Sequence, residues 1–366
     1  MAERITKQML GIETRKKILY LDQSFFSLAA RKQPPAWVQD VIAAITELLD
    51  LQLLAVPYSF SHVAEADLYK GRDSLVSFIQ RLSRGHDFWP YYKVEERQTL
   101  KAFEAFLAGR PTAYVREERD AISGDLHDWD GDYIVTVFTH ESDYERKRES
   151  KHTSVNALLD AIEPWGTSSR TFEEDMELEF QDAARIYADD YATKAARLYL
   201  RDFAALIDSP ISAEVVGNLI TVAQAVKADP KSIGAFLSSQ HFRETPCRQL
   251  SARLYSAFKE RLRKKAVVLP ASREAREKKY SGLMFDVQHA STYAPYCDAF
   301  FADNAMAELM NYYRVAVEKT YGCRVFCAST RNALLAWLNS IKTSMTPEHV
   351  DGLRWAYVRY RKLDKA

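Results

Sequence analysis

Four carboxylates stand out by where they fall: Asp22, Glu65, Asp286 and Asp303. Asp22 follows the apolar run ILYL, Asp286 follows GLMF, and Asp303 closes AFFA. In an open parallel sheet, functional groups gather where strands end at their carboxyl edge. Glu65 lies one turn into the helical pattern after LLAVPYS. Ser59, His62 and Glu65, at i, i+3 and i+6, share a face of that helix. Carboxylates converging in one crevice repel unless something neutralises them. A hard divalent cation with oxygen ligands, Mg²⁺ or Mn²⁺, does so. Such a site lowers the pKa of a bound water and stabilises the leaving oxygen of a phosphodiester, with one ion or with two. The chemistry these residues predict is metal-assisted phosphodiester hydrolysis. The competing reading makes Asp22, Asp286 and Asp303 plain helix caps and Glu65 a solvated helix residue.

The elements that must position these acids alternate. Ile18 to Leu21 is long enough for a buried parallel strand. After Pro34 and Pro35, AWVQDVIAAITELLDL carries apolar residues at helical spacing. LQLLAVPYS reads as a second strand and SHVAEADLYKGRDSLVSFIQRL as a second helix. The last quarter resumes this grammar. SGLMFDVQHAS reads as a strand entering a helix, DAFFAD as a short strand with Asp at each end, and NAMAELMNYYRVAVEKTYG as one helix closed by Gly322. CRVFCAS is a further strand and RNALLAWLNSIK a further helix. Strand and helix in alternation predict a parallel sheet.

Between these stretches, 71–279 reads as mainly helical, with the β-branched alternation of DYIVTVFTH predicting a strand or hairpin. The expected fold is an α/β domain with a parallel sheet, discontinuous in sequence (1–70 and 280–342). Residues 71–279 are a large helical insertion, and 343–366 a basic C-terminal helix or tail.

These segments resemble a known family. KILYLDQSFF resembles the first strand and first acid of PIN-like domains. SFSHVAE is similar to the S-x-x-H-x-x-E signature of some PIN-like branches. FDVQHASTYAPYCDAFFAD resembles the family's stretch in which an Asp, followed three residues later by His, opens a helix and a later Asp closes the next strand. The resemblance covers about a third of the chain and implies a three-layer PIN-like fold. It places Asp22, Glu65, Asp286 and Asp303 on the metal-binding acids, and His289 on the helix position after the third acid. Asp298 falls where the family often has a further acid, beside the metal or at a second one. Ser59, His62 and His289 are the expected substrate-side groups. The implied activity is a Mg²⁺- or Mn²⁺-dependent endoribonuclease leaving 5′-phosphate and 3′-hydroxyl ends. Related stand-alone proteins are often toxins or defence effectors. RNA is favoured over DNA by the resemblance alone. The alternatives are a DNA nuclease, or a PIN-like scaffold that binds nucleic acid or protein without cleaving.

Bulk composition sets the remaining bounds. The 366 residues carry 47% hydrophobic content, enough for more than one lobe, and a formal net charge of zero, so a polyanion must be gripped by local patches. Arg253 to Lys279 holds ten Lys/Arg against three Glu, which makes Lys264, Lys265, Lys278 and Lys279 the expected nucleic-acid contacts. RWAYVRYRKLDKA interleaves basic residues with Trp355, Tyr357 and Tyr360, which could stack on bases. Thr171 to Asp190, with eight acids and one Arg, would not face phosphate. The helical insertion is a candidate surface for a regulatory protein.

Three weaker signals have bland readings. GDLHDWDGDY (Asp125, Asp128, Asp130, Asp132) resembles a calcium loop, but its spacing is wrong and it reads as a solvated loop. Arg146 and His152 have the spacing of a HEPN ribonuclease motif, which arises often by chance. The four cysteines read as reduced, buried thiols. No apolar run suits a signal peptide or a membrane helix, so a soluble, cytoplasmic protein is expected.

Overall fold

Among the described residues, six short strands carry the architecture: β1 Arg4–Ile5, β2 Lys17–Leu21, β3 Leu54–Ala55, β4 Trp129–Asp130, β5 Ala299–Phe301 and β6 Arg324–Phe326. The computed structural model describes residues 4–12, 14–60, 62, 66, 72–131, 144–205, 210–229 and 231–361, with 144–154 and 211 as backbone only. Strands β3, β2, β5 and β6 lie in that order in one parallel sheet, and β1 pairs antiparallel with β4. Leu19, Tyr20 and Leu21 stand opposite Ala299, Phe300 and Phe301, which in turn face Arg324, Val325 and Phe326.

A strand's period of two sends neighbouring residues to opposite faces. Ile18, Tyr20, Phe300 and Val325 join one core with Leu250, Leu254 and Phe258 of the helix Pro246–Arg263, and with Val287 and Tyr293 of Leu283–Tyr293. Leu19, Leu21, Phe301 and Phe326 join the other with Val38, Val41 and Ile45 of Ala36–Asp50 and with Leu334 and Leu338 of Arg331–Thr343. Helices therefore cover both faces, the arrangement that lets β2 be apolar at every buried position. Phe103, Tyr187, Leu219, Phe236 and Phe242 make a third core among helices alone.

Several expectations need correction. GLMF is not a strand; it opens the helix Leu283–Tyr293. A four-residue apolar run suits either structure, and here Val287, Ala290 and Tyr293 are buried at helical spacing. The single helix expected over 304–321 is two, Asn304–Met310 and Val317–Tyr321. They are separated by a turn that buries Val315 and holds Ala316 at φ +45°, and the second helix opens on the buried Val317. Gly322 does close the second in the left-handed conformation. DYIVTVFTH lies outside the described residues.

The insertion boundaries also shift. Leu75, Ile79 and Leu82 of Arg72–Ser83 belong to the same core as Ala36–Asp50, and Pro246–Arg263 covers the sheet itself. The C-terminal segment is docked rather than loose, because Leu353 and Tyr357 are buried in the second core and His349 Nε2 meets the Leu51 carbonyl at 2.7 Å. No described helix is long and apolar enough to cross a membrane.

Candidate acidic site at the carboxyl edge of the sheet

Asp22 and Asp303 end up on neighbouring strands at one edge. The Asp22 N–H donates to the Phe301 carbonyl at 3.0 Å, which carries the β2–β5 ladder one step past Leu21, and Asp303 stands two residues beyond Phe301. Both are also helix caps. Asp22 accepts from the Ser24 N–H at 3.3 Å, and Asp303 accepts from the Met306 N–H at 2.7 Å. Capping and metal binding are not exclusive, since an ionised carboxylate offers about four acceptor sites. The caps fix both carboxylates where the strands end. No salt bridge among the described residues joins either to Lys, Arg or His. Burial, with the nearby Asp303 charge adding to it, raises the Asp22 pKa above the usual carboxylate range despite the Ser24 and Gln23 bonds.

Asp286 reaches this region from a different element. It sits in the first turn of Leu283–Tyr293, with its N–H on the Gly282 carbonyl at 2.9 Å. A Cβ built on Gly282 would stand 3.2 Å from Asp286 Oδ2, so glycine gives the folded-back carboxylate its room. Asp286 and Asp303 line one cavity of about 360 Å³, with Arg261, Lys279, Phe258 and Tyr280 among its other walls.

Ser59, His62 and His289 are placed differently from expectation. Their exposures are 0%, 1% and 4%, so they stand behind the edge and do not present to substrate. The Ser59 N–H donates to His62 Nδ1 at 3.0 Å, which leaves the ring proton on Nε2, on the side of the Leu21 carbonyl. His62 stacks on Tyr20 with centroids 5.0 Å apart and meets Phe26 edge-on at 5.1 Å. Burial, and then the neighbouring His289, push its pKa down to about 3. The imidazole is neutral at ordinary pH. Its packing on Tyr20 and Phe26, which flank the turn from Leu21 into Asp22, is structural.

Asp298 is at the wrong edge. Its carboxylate takes Lys17 Nζ at 2.7 Å and the Ile18 N–H at 2.9 Å, at the amino ends of β2 and β5, with the whole strand Ala299–Phe301 between it and Asp303. It sets strand register and is not a metal acid of this edge. Glu65 lies outside the described residues, as does Asp132, and the side chains of Arg146 and His152 are likewise not described. Among the described residues no three His, Cys, Asp or Glu side chains are grouped closely enough to hold a metal ion. Carboxylate oxygens are the donors that hard divalent cations take, and the edge offers two such carboxylates, Asp22 and Asp303.

The basic segment is not an open track. Arg261 pairs with Glu308 at 2.8 Å, Arg263 with Asp175 at 2.6 Å, Lys264 with Glu260 at 2.7 Å and Arg273 with Asp160 at 2.6 Å. Lys265 and Lys278 are exposed, and Lys279 reaches the cavity while donating to the Val268 carbonyl at 3.1 Å. Of the aromatic residues near the C-terminus, Tyr357 is 3% exposed and Trp355 58%, so the expected stacking row is broken. The acidic loop is not solvated at Asp130, which is buried among Lys16, His86, Arg4 and Arg84. All four cysteines are free thiols. The cavity walls were missed in the sequence, because Phe258, Tyr280 and Leu283 have the spacing of ordinary core residues. No family model, curated protein or solved structure matches this chain.

Proposed function

We propose that this chain is a PIN-like, divalent-cation-dependent phosphodiesterase that acts on RNA at the edge holding Asp22 and Asp303. The observation that carries the reading is the pair itself. Two aspartates follow adjacent parallel strands, held by their cap bonds, and no salt bridge joins either one to Lys, Arg or His among the described residues. Like charges held near each other without an ion-pair partner are unfavourable, and carboxylates perturbed in that way cluster at functional sites. Asp22 and Asp303 are the described pair that would hold Mg²⁺ or Mn²⁺; the resemblance implies Asp286 and Glu65 as further ligands, of which Asp286 is not grouped with the pair in this structure and Glu65 lies outside the described residues. The bound ion supplies Lewis-acid charge and an activated water.

The chain's own part is positioning. The Ser24 and Met306 N–H groups keep the two carboxylates in place before substrate arrives, the preorganisation that a metal site requires. Hydrolysis adds water to phosphorus and breaks the bond to the 3′ oxygen, which takes up a proton. The products are a 5′-phosphate and a 3′-hydroxyl. The RNA preference rests on the family resemblance.

The test is cleavage of labelled RNA and DNA oligonucleotides with Mn²⁺ and with EDTA, by wild type, Asp22→Asn and Asp303→Asn. Metal-dependent RNA cleavage reduced at least a hundredfold in each variant is expected. Cleavage that persists in EDTA or in both variants sinks the site, and folded protein without cleavage leaves a binding scaffold.

A further inference from the structure

The cavity beside Asp286 and Asp303 has walls that phosphodiester hydrolysis alone does not call for. Phe258 and Tyr280 meet edge to face with centroids 5.6 Å apart, and Val267, Leu283 and Met306 extend an apolar lining. A volume of about 360 Å³ is within the ~300–1,000 Å³ typical of small-ligand pockets. Its charged groups are of both signs. Asp286, Asp303 and Glu308 offer acceptors, while Arg261 and Lys279 offer donors. Arg261 is held by Glu308, and Lys279 is anchored on the Val268 carbonyl with its ammonium 5.2 Å from the Tyr280 ring centre. A ligand that matches this lining is flat and largely apolar on its faces, carries N–H donors on its edge and ends in an anion. That description is a nucleotide.

We infer that the cavity is a nucleobase subsite, taking the unstacked base next to the phosphodiester that is cut; the inference rests on the phosphodiesterase reading for its substrate class. Unpaired bases present both a π-face and a hydrogen-bonding edge, which is how single-stranded RNA is read by aromatic and polar side chains together. The enzyme is then selective for single-stranded RNA, because a paired base cannot leave its stack to enter the cavity.

The experiment is calorimetric titration of full-length protein with adenosine and cytidine 5′-monophosphates and with ribose 5-phosphate, in Mg²⁺ buffer. Ala305 and Ala266 line the cavity from an exposed helix position and an exposed loop, so Ala305→Phe and Ala266→Phe fill it without disturbing the core. At least one nucleotide should bind tenfold or more tightly than ribose 5-phosphate. Either substitution should remove that advantage and leave the sugar phosphate unchanged. Equal binding of the sugar phosphate, absence of nucleotide binding, or wild-type affinity in both filled variants overturns the subsite. Cleavage assays on the same samples separate the two ideas. Metal-dependent cleavage without base discrimination refutes the cavity alone, and base-selective binding without cleavage refutes the phosphodiesterase alone.

Discussion

Asp22 tests whether the acidic edge is strained by its own charges. Its ionised form is disfavoured in the fold by burial and by Asp303, so its pKa lies above the ordinary value near 3.8. The unfolded chain ionises near that ordinary value. Below it both states hold the proton and no penalty exists; as pH rises through the folded value the penalty on the fold becomes complete. Asn keeps the cap acceptor while removing the charge. In EDTA at pH 7, Asp22→Asn should therefore be more stable than wild type by about 0.5–2 kcal/mol, the usual size of relieved active-site strain. The gap should shrink as pH falls toward 4. Urea unfolding across that range checks it, and equal midpoints at pH 7 would show that the edge carries no such strain. Asp22 and Asp303 were legible because an acid directly after a buried apolar run is an unusual placement. Asp298 was not, because DAFFAD has an Asp at each end and only the parallel pairing with β2 decides which one reaches the carboxyl edge. His62 has the spacing of an active-site residue, but its depth follows from Tyr20 and Phe26, which local pattern does not reveal.

At the scale of elements, short apolar runs were read correctly where a turn or an Asp bounded them, as at Lys17–Leu21 and Ala299–Phe301. GLMF failed because the run is as short as one helical turn and its partner helix, Pro246–Arg263, comes from a segment assigned to another lobe. The β1–β4 pair was invisible for a related reason. Asp130 gathers Arg4, Lys16, Arg84 and His86 from three distant segments, none of which marks the others in sequence. Burial alone would raise the Asp130 pKa, but the His86 bond and the Lys16 and Arg4 charges outweigh it and hold it low. Burial pushes Lys16 down to about 8 and His86 down to about 4. Removing one partner of a buried ion cluster leaves the others uncompensated. Asp130→Ala should accordingly cost about 3–5 kcal/mol in chemical denaturation, with Lys16→Met added on top recovering part of the loss. A cost under about 1 kcal/mol, the level of a surface pair, would mean the cluster is hydrated and unimportant.

For the whole molecule, the question is whether the C-terminal segment belongs to the fold or hangs from it. Its basic composition reads as a helix or a tail; Pro347–Ala356 is a helix, Leu353 is fully buried and Tyr357 is 3% exposed in the core on the face of the sheet that carries Leu21 and Phe301. The Tyr357 hydroxyl donates to the Asp130 carbonyl, and the Trp129 ring stacks on Tyr357 at 6.2 Å, so the segment also holds β4 in place. Gly352 marks the contact. A Cβ there would come within 2.9 Å of the Trp129 ring, which only a glycine avoids. Burying two such side chains is worth about 1.5–3 kcal/mol each as an upper estimate. Removing residues 344–366 should then destabilise the protein by several kcal/mol, a large share of a typical domain's 5–15 kcal/mol. Gly352→Val in the full chain, which wedges the helix from Trp129 without removing any basic residue, should lower the thermal midpoint in the same direction. If the truncated chain melts with wild type and only its affinity for nucleic acid drops, the segment is a tail after all and its burial against β4 contributes nothing to the fold.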